Sequence, residues 1–313
     1  MSIGELAFID QLRALATHPA ARGLADDAAV IGDLVLTHDS IAEGVHFLPE
    51  DPPASVGWKL VAVNLSDLAA KGAEPLAALM SVTIGGDGQW EEKFLGGVAA
   101  ACETYGLPLV GGDTIALPKG APRVLGLTAL GRGGEHIPSR AGGMPGNRLW
   151  VIGLLGDAAA GLSVLLADPK AEGTLVEAYR RPVPQLVAGR ELAAHATAMM
   201  DVSDGLLLDA SRLCGASGCG ARIDLESLQL SRAYIAERGS DRRARLAAAT
   251  GGDDYALLAA LPAGFDPAVR LSLPSGTILA CIGALEGGRG IALFDSSGDV
   301  PMPEHMGYEH YRA

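Results

Sequence analysis

Residues 57–73 read GWKLVAVNLSDLAAKGA. Over residues 55–72 the pattern predicts an almost entirely apolar helix, with Asn64, Asp67 and Lys71 on one stripe because side chains three and four apart share a helix face. PLAALMSVTI (75–84) follows as a buried strand, and GQWEEKFLGGVAAACETYG (88–106) as a second helix. LPLVGGDT (107–114) reads as a strand running into a glycine turn, and APRVLGLTALGRG (121–133) as a further strand. Toward the N-terminus, VIGDLVLTHD (30–39) predicts two short strands hinged at Gly32-Asp33, SIAEGVHF (40–47) a further extended segment, and residues 4–17 an amphipathic helix. SRAGGMPGN (139–147) is rich in Gly and marks a domain boundary or a functional loop.

Beyond it come RLWVIGLLG (148–156) as a strand, helices over 158–194, a short strand, DVSDGLLLDASRLCGASG (201–218) as a helix, and strands near 254–260 and 277–285. Helices and strands interleave in both halves, which predicts an α/β (α+β) fold in two domains, residues 1–137 and 138–313. The length of 313 residues agrees, at roughly 150 residues per domain.

Aspartates punctuate this pattern where apolar runs meet turns or helix starts: Asp26-Asp27, Asp39, Asp67, Asp113, Asp201 and Asp204, and Asp253-Asp254. Among Val, Leu, Ala and Gly an uncompensated charge is costly. Lys and Arg are sparse around these motifs, so the expected partners are hard divalent ions, and Mg²⁺ on carboxylates implies a bound polyphosphate.

Composition narrows the class. Apolar residues make up 49% and the formal net charge is −13, which excludes a nucleic-acid or anionic-membrane surface. No run approaches the roughly 18 apolar residues of a membrane span, and MSIGELAFIDQL lacks a signal-peptide pattern, so the expected location is cytoplasmic. Cys102, Cys214, Cys219 and Cys281 show no zinc spacing and are expected to be buried thiols.

Asn64-Leu-Ser-Asp67 and Asp201-Val-Ser-Asp204 share one pattern, each able to aim two oxygen-bearing side chains at one point if helical. The alternative is that Ser203 and Asp204 cap a helix. No P-loop, G-x-G-x-x-G, H-R-D, D-F-G or G-x-S-x-G motif is present. Gly111-Gly112 before Asp113, and Gly251-Gly252 before Asp253, would let backbone N–H groups approach a phosphate. Phosphoryl transfer suits such a set, because metal ions and positioning do most of the work.

DDAAVI, THDSIAEGVHF, GWKLVAVNLSDLAAKGA, LVGGDT, SRAGGMPGN, DVSDGLLLD and TGGDDYALL, in this order, resemble the thiamine-monophosphate kinase family. That family shares a superfamily with aminoimidazole ribonucleotide synthetase, selenophosphate synthetase and the hydrogenase maturation factor that dehydrates a carbamoyl group. The resemblance runs from Gly4-Glu5 to the C-terminal GYEHY. It implies an N-terminal domain whose sheet dimerises into a β-barrel, a C-terminal α/β domain, and ATP held with several Mg²⁺ ions at the domain and subunit junction. The implied reaction is direct in-line transfer from ATP to thiamine monophosphate, giving thiamine diphosphate.

Position by position, the resemblance implies metal ligation by Asp27, Asp39, Asp67, Asp113, Asp201 and Asp204, with Thr37 and His38 beside the first metal cluster. Asp67 and Asp204 become the catalytic candidates, Gly112, Asp113, Arg140 and Ser203 the ATP contacts, and His46, Asp253 and Tyr308 the substrate side. Bland alternatives stand beside three of these: a half-buried histidine at 46, a linker cation at 140, and core packing by the Tyr308 ring. Departures from the family pattern fall at Ala25, His38, Lys71, Asn147, Asp253 and Ala256, and Asp253 is one methylene shorter than the family's Glu. Selenium activation would call for an early reactive Cys, whereas the earliest is Cys102; amide activation would call for a Cys-bearing tail, whereas the chain ends HYRA. A non-catalytic nucleotide or thiamine-phosphate binder is the remaining alternative.

Overall fold

The structure, a computed structural model, describes residues 5–309. The first half contains α1 (Glu5–Arg13), β1 (Ala29–Ile31), β2 (Leu34–Ala42), α2 (Pro53–Ala70), β3 (Glu74–Ile84), α3 (Gly88–Tyr105), β4 (Leu109–Ala116) and β5 (Val124–Arg132). Its five strands lie in the order β1-β2-β5-β3-β4, antiparallel except for the β3–β4 pair. β1 and β2 meet with Ile31 opposite Leu34, so the hinge falls at Gly32-Asp33 as the sequence predicts. The N-terminal helix is shorter than expected, ending at Arg13, and the expected start at residue 4 lies outside the described residues.

Two further segments of the first half depart from expectation. The extended segment stops at Ala42, where the His46 imidazole Nδ1 accepts the Ala42 N–H at 3.1 Å and folds residues 43–46 into a turn. Gly111-Gly112 is not a turn but strand interior, with Gly112 paired to Met80. At φ 153°, a Cβ on Gly112 would sit 1.9 Å from the Met80 carbonyl oxygen, so close backbone approach explains the glycine.

Helix α2 is largely apolar because it is covered on every side. Leu60, Val61, Leu65 and Leu68 are fully buried in a core that includes Leu125, Leu127 and Ala129 of β5. Against α3 the backbones nearly touch: a Cβ on Gly97 would lie 1.9 Å from the Ala54 carbonyl oxygen. The same core continues into the second half through Leu192, Met199, Leu257 and Ala259. Each fully buried Leu contributes about 2 kcal/mol, so this shared core binds the two halves firmly through one helix.

The second half contains β6 (Arg148–Ile152), α4 (Asp157–Ala167), α5 (Thr174–Arg180), α6 (Leu186–Ala193), β7 (Ala198–Val202), α7 (Leu206–Ser217) and β8 (Gly220–Asp224). After these come α8 (Arg232–Arg238), α9 (Arg242–Thr250), β9 (Ala256–Leu261), α10 (Pro267–Arg270), β10 (Leu279–Glu286), β11 (Gly290–Asp295) and β12 (Gly298–Val300). Its seven strands run β12-β11-β8-β10-β6-β9-β7, with β8 and β11 parallel. Neither sheet closes on itself within one chain. Residues 201–218 are not one helix: β7 carries Asp201 on a fully buried strand, Ser203-Gly205 is a turn, and α7 begins at Leu206 with no side-chain cap. The capping reading of Ser203 and Asp204 therefore fails, and the Asn64–Asp67 echo is one of sequence only. Cys214 and Cys219 are buried, Cys102 and Cys281 half-buried, and all four are free thiols. Among the described residues no helix is long and apolar enough to cross a membrane.

Candidate active site

The carboxylates converge where α2 passes between the two sheets. One oxygen each of Asp27, Asp67 and Asp201 lie within 4.8 Å of one another. Three different local structures supply them: the turn before β1, the last turns of α2 and the end of β7. Thr37 donates its hydroxyl to Asp67, and Ser66 Oγ donates to Asp201 Oδ2 at 2.7 Å. Asn64 Oδ1 accepts the backbone N–H of Asp39 at 2.9 Å, locking β2 against α2. The predicted polar stripe of α2 thus exists, with Ser66 added on the side facing β7.

Burial and mutual repulsion set the electrostatics. Asp67 is pushed well above the ordinary carboxylate range by burial, then by Asp39, Asp201 and Asp27, against a small opposing effect of Thr37. Asp201 is likewise raised by burial and by Asp27. Burial pushes Asp39 up to about 6, with His38 opposing and Asp204 and Asp27 adding to the rise. Asp26 goes the other way: burial works to raise it, but Lys71 and Arg22 hold it low.

Contrary to expectation, Lys and Arg do compensate several of these aspartates. Lys71 Nζ lies 2.5 Å from Asp26 and 2.6 Å from Asp27, Arg140 Nε donates to Asp27 Oδ1 at 2.6 Å, and Arg212 bridges Asp204 and Asp209 at 2.5 and 2.7 Å. Each cation lies in a segment already singled out, but the pairings are not local: Lys71 and Asp26 are 45 residues apart and Arg140 and Asp27 are 113 apart, so only the fold reveals them. Asp39, Asp67 and Asp201 alone in the convergent group have no Lys or Arg ion pair among the described residues.

A cavity of about 460 Å³ opens beside the carboxylates, lined by Asp39, His46, Tyr179, Ser203, Asp204, Asp253, Tyr255 and Tyr308 among others. The loop before β9 shapes one wall. Asp253 and Tyr255 adopt left-handed φ of 69° and 52°, a conformation non-glycine residues rarely hold without support. That support comes from Asp253 N–H to the Ser203 carbonyl at 2.7 Å, Tyr255 N–H to the Val202 carbonyl at 2.9 Å, and the Tyr255 hydroxyl to Asp253 Oδ1 at 3.0 Å. Asp254 points elsewhere, accepting the N–H groups of Gly156 and Ala158 at the start of α4. The Ser203 and Asp204 N–H groups donate to Asp209 Oδ2 at 3.1 and 3.0 Å.

The structure therefore brings together Asp27, Thr37, Asp39, Asp67, Arg140, Asp201, Ser203 and Asp204, and across the cavity His46, Asp253 and Tyr308. It places His38, Gly112, Asp113 and Asn147 elsewhere. His38 is on the opposite face of β2 from Thr37 and Asp39, with its Nδ1 2.8 Å from the Thr128 hydroxyl, because alternate strand residues face opposite sides. Gly112 and Asp113 are exposed on the edge strand β4, three strand spacings or roughly 14 Å from β2. Asn147 serves the 139–147 loop, its Oδ1 accepting from Met144 N–H and the Thr197 hydroxyl.

Lys59, Tyr179 and Asp209 were missed by sequence reasoning. Lys59 is buried, with Nζ 2.7 Å from Asp253 Oδ2, 2.9 Å from the His46 carbonyl and 4.1 Å from the centre of the Tyr179 ring. A lone lysine in an apolar helix was the available signal for Lys59, and the final Asp of DVSDGLLLD for Asp209; nothing around Tyr179 marks it.

Residues 25–132 match the family described as AIR synthase related protein, N-terminal domain, and residues 144–269 the AIR synthase related protein, C-terminal domain. The chain is 42% identical over 223 residues to the thiamine-monophosphate kinase of Caulobacter vibrioides, covering 68% of this chain and 62% of that relative, less than two thirds of its length. It is 36% identical over 224 residues to that of Salmonella typhimurium, covering 68% of each. The solved structure of AaThiL complexed with AMPPCP and TMP superposes with a TM-score of 0.86 at 31% identity, covering 99% of both chains. The chain belongs to the thiamine-monophosphate kinase family.

Proposed function

We infer that the protein is a kinase that transfers the γ-phosphoryl group of ATP to thiamine monophosphate, giving ADP and thiamine diphosphate. The observation that carries this reading is the convergence of the buried carboxylates of Asp27, Asp67 and Asp201 beside a cavity of about 460 Å³ lined by Asp39, Asp204, Tyr179, Tyr255 and Tyr308. The relative bound to AMPPCP and TMP supports both substrates.

An all-carboxylate donor set with hydroxyls nearby fits Mg²⁺, a hard cation that prefers oxygen. Asp27, Asp39, Asp67, Asp201 and Asp204 would hold it, and it would neutralise phosphate oxygens and the charge that develops during transfer. The chain's own residues do the positioning. Asp67 stands at the centre of the carboxylates, Arg140 and Ser203 border the nucleotide side, and Asp204 faces both the carboxylates and the cavity. The acceptor is a phosphate oxygen already ionised at neutral pH, so no general base is needed. His46, Asp253 and Tyr308, with Tyr179, border the region for the thiazole and pyrimidine rings, where stacking and a carboxylate suit a cationic heteroaromatic group.

The same reading makes the protein a cytoplasmic homodimer with a domain boundary at residues 137/138. Edge strand β4 exposes Leu109, Val110 and Ile115, and Leu79 is half exposed on β3, an apolar sheet surface that a second copy would cover. Gly112 and Asp113 would then serve the partner's site. Incubating the pure protein with ATP, Mg²⁺ and thiamine monophosphate and separating the products by chromatography tests the assignment, with thiamine diphosphate expected.

A further inference from the structure

Asp209 lies in the first turn of α7 and is completely buried, and it is not among the residues that line the cavity. Its carboxylate reaches back along the chain. Oδ2 accepts the N–H groups of both Ser203 and Asp204, at 3.1 and 3.0 Å, and Oδ1 accepts Arg212 at 2.7 Å. Hydrogen bonds to an ionised acceptor are the strong kind, so these two fasten the turn between β7 and α7 to the helix that follows it. The carbonyl groups of the same two residues carry other segments. Ser203 C=O accepts the Asp253 N–H at 2.7 Å, and Asp204 C=O accepts the Tyr308 N–H at 2.9 Å. Packing there is close: a Cβ on Gly252 would lie 2.7 Å from the Ser203 oxygen, and one on Gly307 would lie closer still to the Asp204 oxygen. Ser203 and Asp204 serve the nucleotide in the kinase reading, Asp253 and Tyr308 the acceptor, and all four line the cavity.

We propose that Asp209 is a positioning residue for phosphoryl transfer: through the Ser203-Asp204 turn it sets the groups that hold the nucleotide and the groups that hold the acceptor in one fixed relation. The proposal rests on the kinase reading of the cavity. Asp209 touches neither substrate; it fixes, before either arrives, the one turn to which both sides of the site are bonded. Without its carboxylate the two N–H groups would be buried and unpaired, and the turn would shift to satisfy them, taking Asp253 and Tyr308 with it. Transfer between two bound phosphates depends on their alignment, so a shift shared by both sides acts on the reaction as well as on each substrate.

The test compares Asp209→Asn, whose amide oxygen can still accept both N–H groups, with Asp209→Leu, which accepts neither, by steady-state kinetics with each substrate varied in turn. Asp209→Leu is expected to raise the KM for ATP and the KM for thiamine monophosphate together, each about tenfold, and Asp209→Asn to stay within about threefold of the wild type in both. A smaller folded fraction lowers the apparent kcat but moves neither KM, so unchanged KM values in Asp209→Leu would overturn the proposal. A rise in only one KM would overturn it too, by confining Asp209 to one side of the site. Equal rises in the two variants would assign the effect to the lost charge beside Arg212 rather than to the two hydrogen bonds, and would also overturn it. If the wild type makes no thiamine diphosphate, the kinase reading fails and this proposal with it. Should Asp209→Leu not fold, amide hydrogen exchange in the ligand-free wild type decides. The Ser203 and Asp204 N–H groups are expected to be protected before either substrate is added, and protection that appears only with ATP or thiamine monophosphate would show that the substrate, not Asp209, shapes the turn.

Discussion

Lys59 Nζ lies 2.7 Å from Oδ2 of Asp253, 194 residues further along the chain, and this ion pair fastens helix α2 to the cavity loop of the second domain. The pair holds the Asp253 carboxylate at the cavity wall, where its backbone is left-handed. The Lys59→Met variant is expected to raise the KM for thiamine monophosphate about tenfold, near 1.4 kcal/mol, with a smaller change in kcat. It should also cost about 1–3 kcal/mol of stability, because Asp253 loses its partner. Steady-state kinetics and denaturant unfolding check both, and an unchanged KM would remove Lys59 from the substrate side.

Asp67→Asn is expected to lower turnover more than about 100-fold while leaving the melting temperature unchanged or higher. The variant removes one of several buried like charges, and it was their repulsion, with burial, that pushed Asp67 up. Near wild-type activity at saturating Mg²⁺ would contradict the role given to the NLSD segment.

The pH dependence of stability has a definite sign. Asp39 and Asp209 are both pushed up to about 6, chiefly by burial, and Asp67 and Asp201 are raised well above the ordinary range. Unfolded aspartates titrate near 3.9, so between about 3.9 and 6 the folded chain holds more protons than the unfolded one, and metal-free stability falls as pH rises through that window. Asp26, held low by Lys71 and Arg22 against its burial, and Asp295, held low chiefly by its hydrogen bond from Arg242, contribute with the opposite sign but are outnumbered by the raised aspartates. In chelator the melting temperature should be higher near about pH 5.5 than near about pH 7.5, and Mg²⁺ should stabilise more at the higher pH, where the carboxylates are ionised. Thermal melts in EDTA and in Mg²⁺ measure this, and a rise with pH in EDTA would contradict it.

Much of this was readable in the sequence because period and punctuation were strong. The mostly apolar run around Leu60 and Leu65 predicted α2, VIGDLVLTHD predicted the β1 and β2 strands hinged at Gly32-Asp33, and aspartates among Val and Ala marked a charged interior. What the sequence hid was three-dimensional pairing. Alternation along β2 was enough to turn His38 away from Asp39, yet the adjacent motif obscured it. Gly111-Gly112 looked like a turn, because only the approach of Met80 reveals glycine serving strand packing. The cations on Asp27 and Asp253 come from residues that no local window contains.

The exposed apolar edge of the first sheet predicts self-association. Light scattering at micromolar concentration should give about twice the 32.0 kDa chain mass, and Val110→Lys on the edge strand should shift it toward the monomer. A fully active monomer would contradict the assignment of Gly112 and Asp113 to a partner's site.

The central claim is that the acceptor reacts through its own phosphate. Thiamine monophosphate brings ionised oxygens, whereas thiamine brings a neutral alcohol that must lose a proton on attack and offers no ionised phosphate oxygen to a metal ion. The most direct measurement is kcat/KM for the two acceptors with ATP and Mg²⁺ in excess. A ratio favouring thiamine monophosphate by more than about 1000-fold, equivalent to roughly 4 kcal/mol, is the predicted result; equal kcat/KM for thiamine would contradict it.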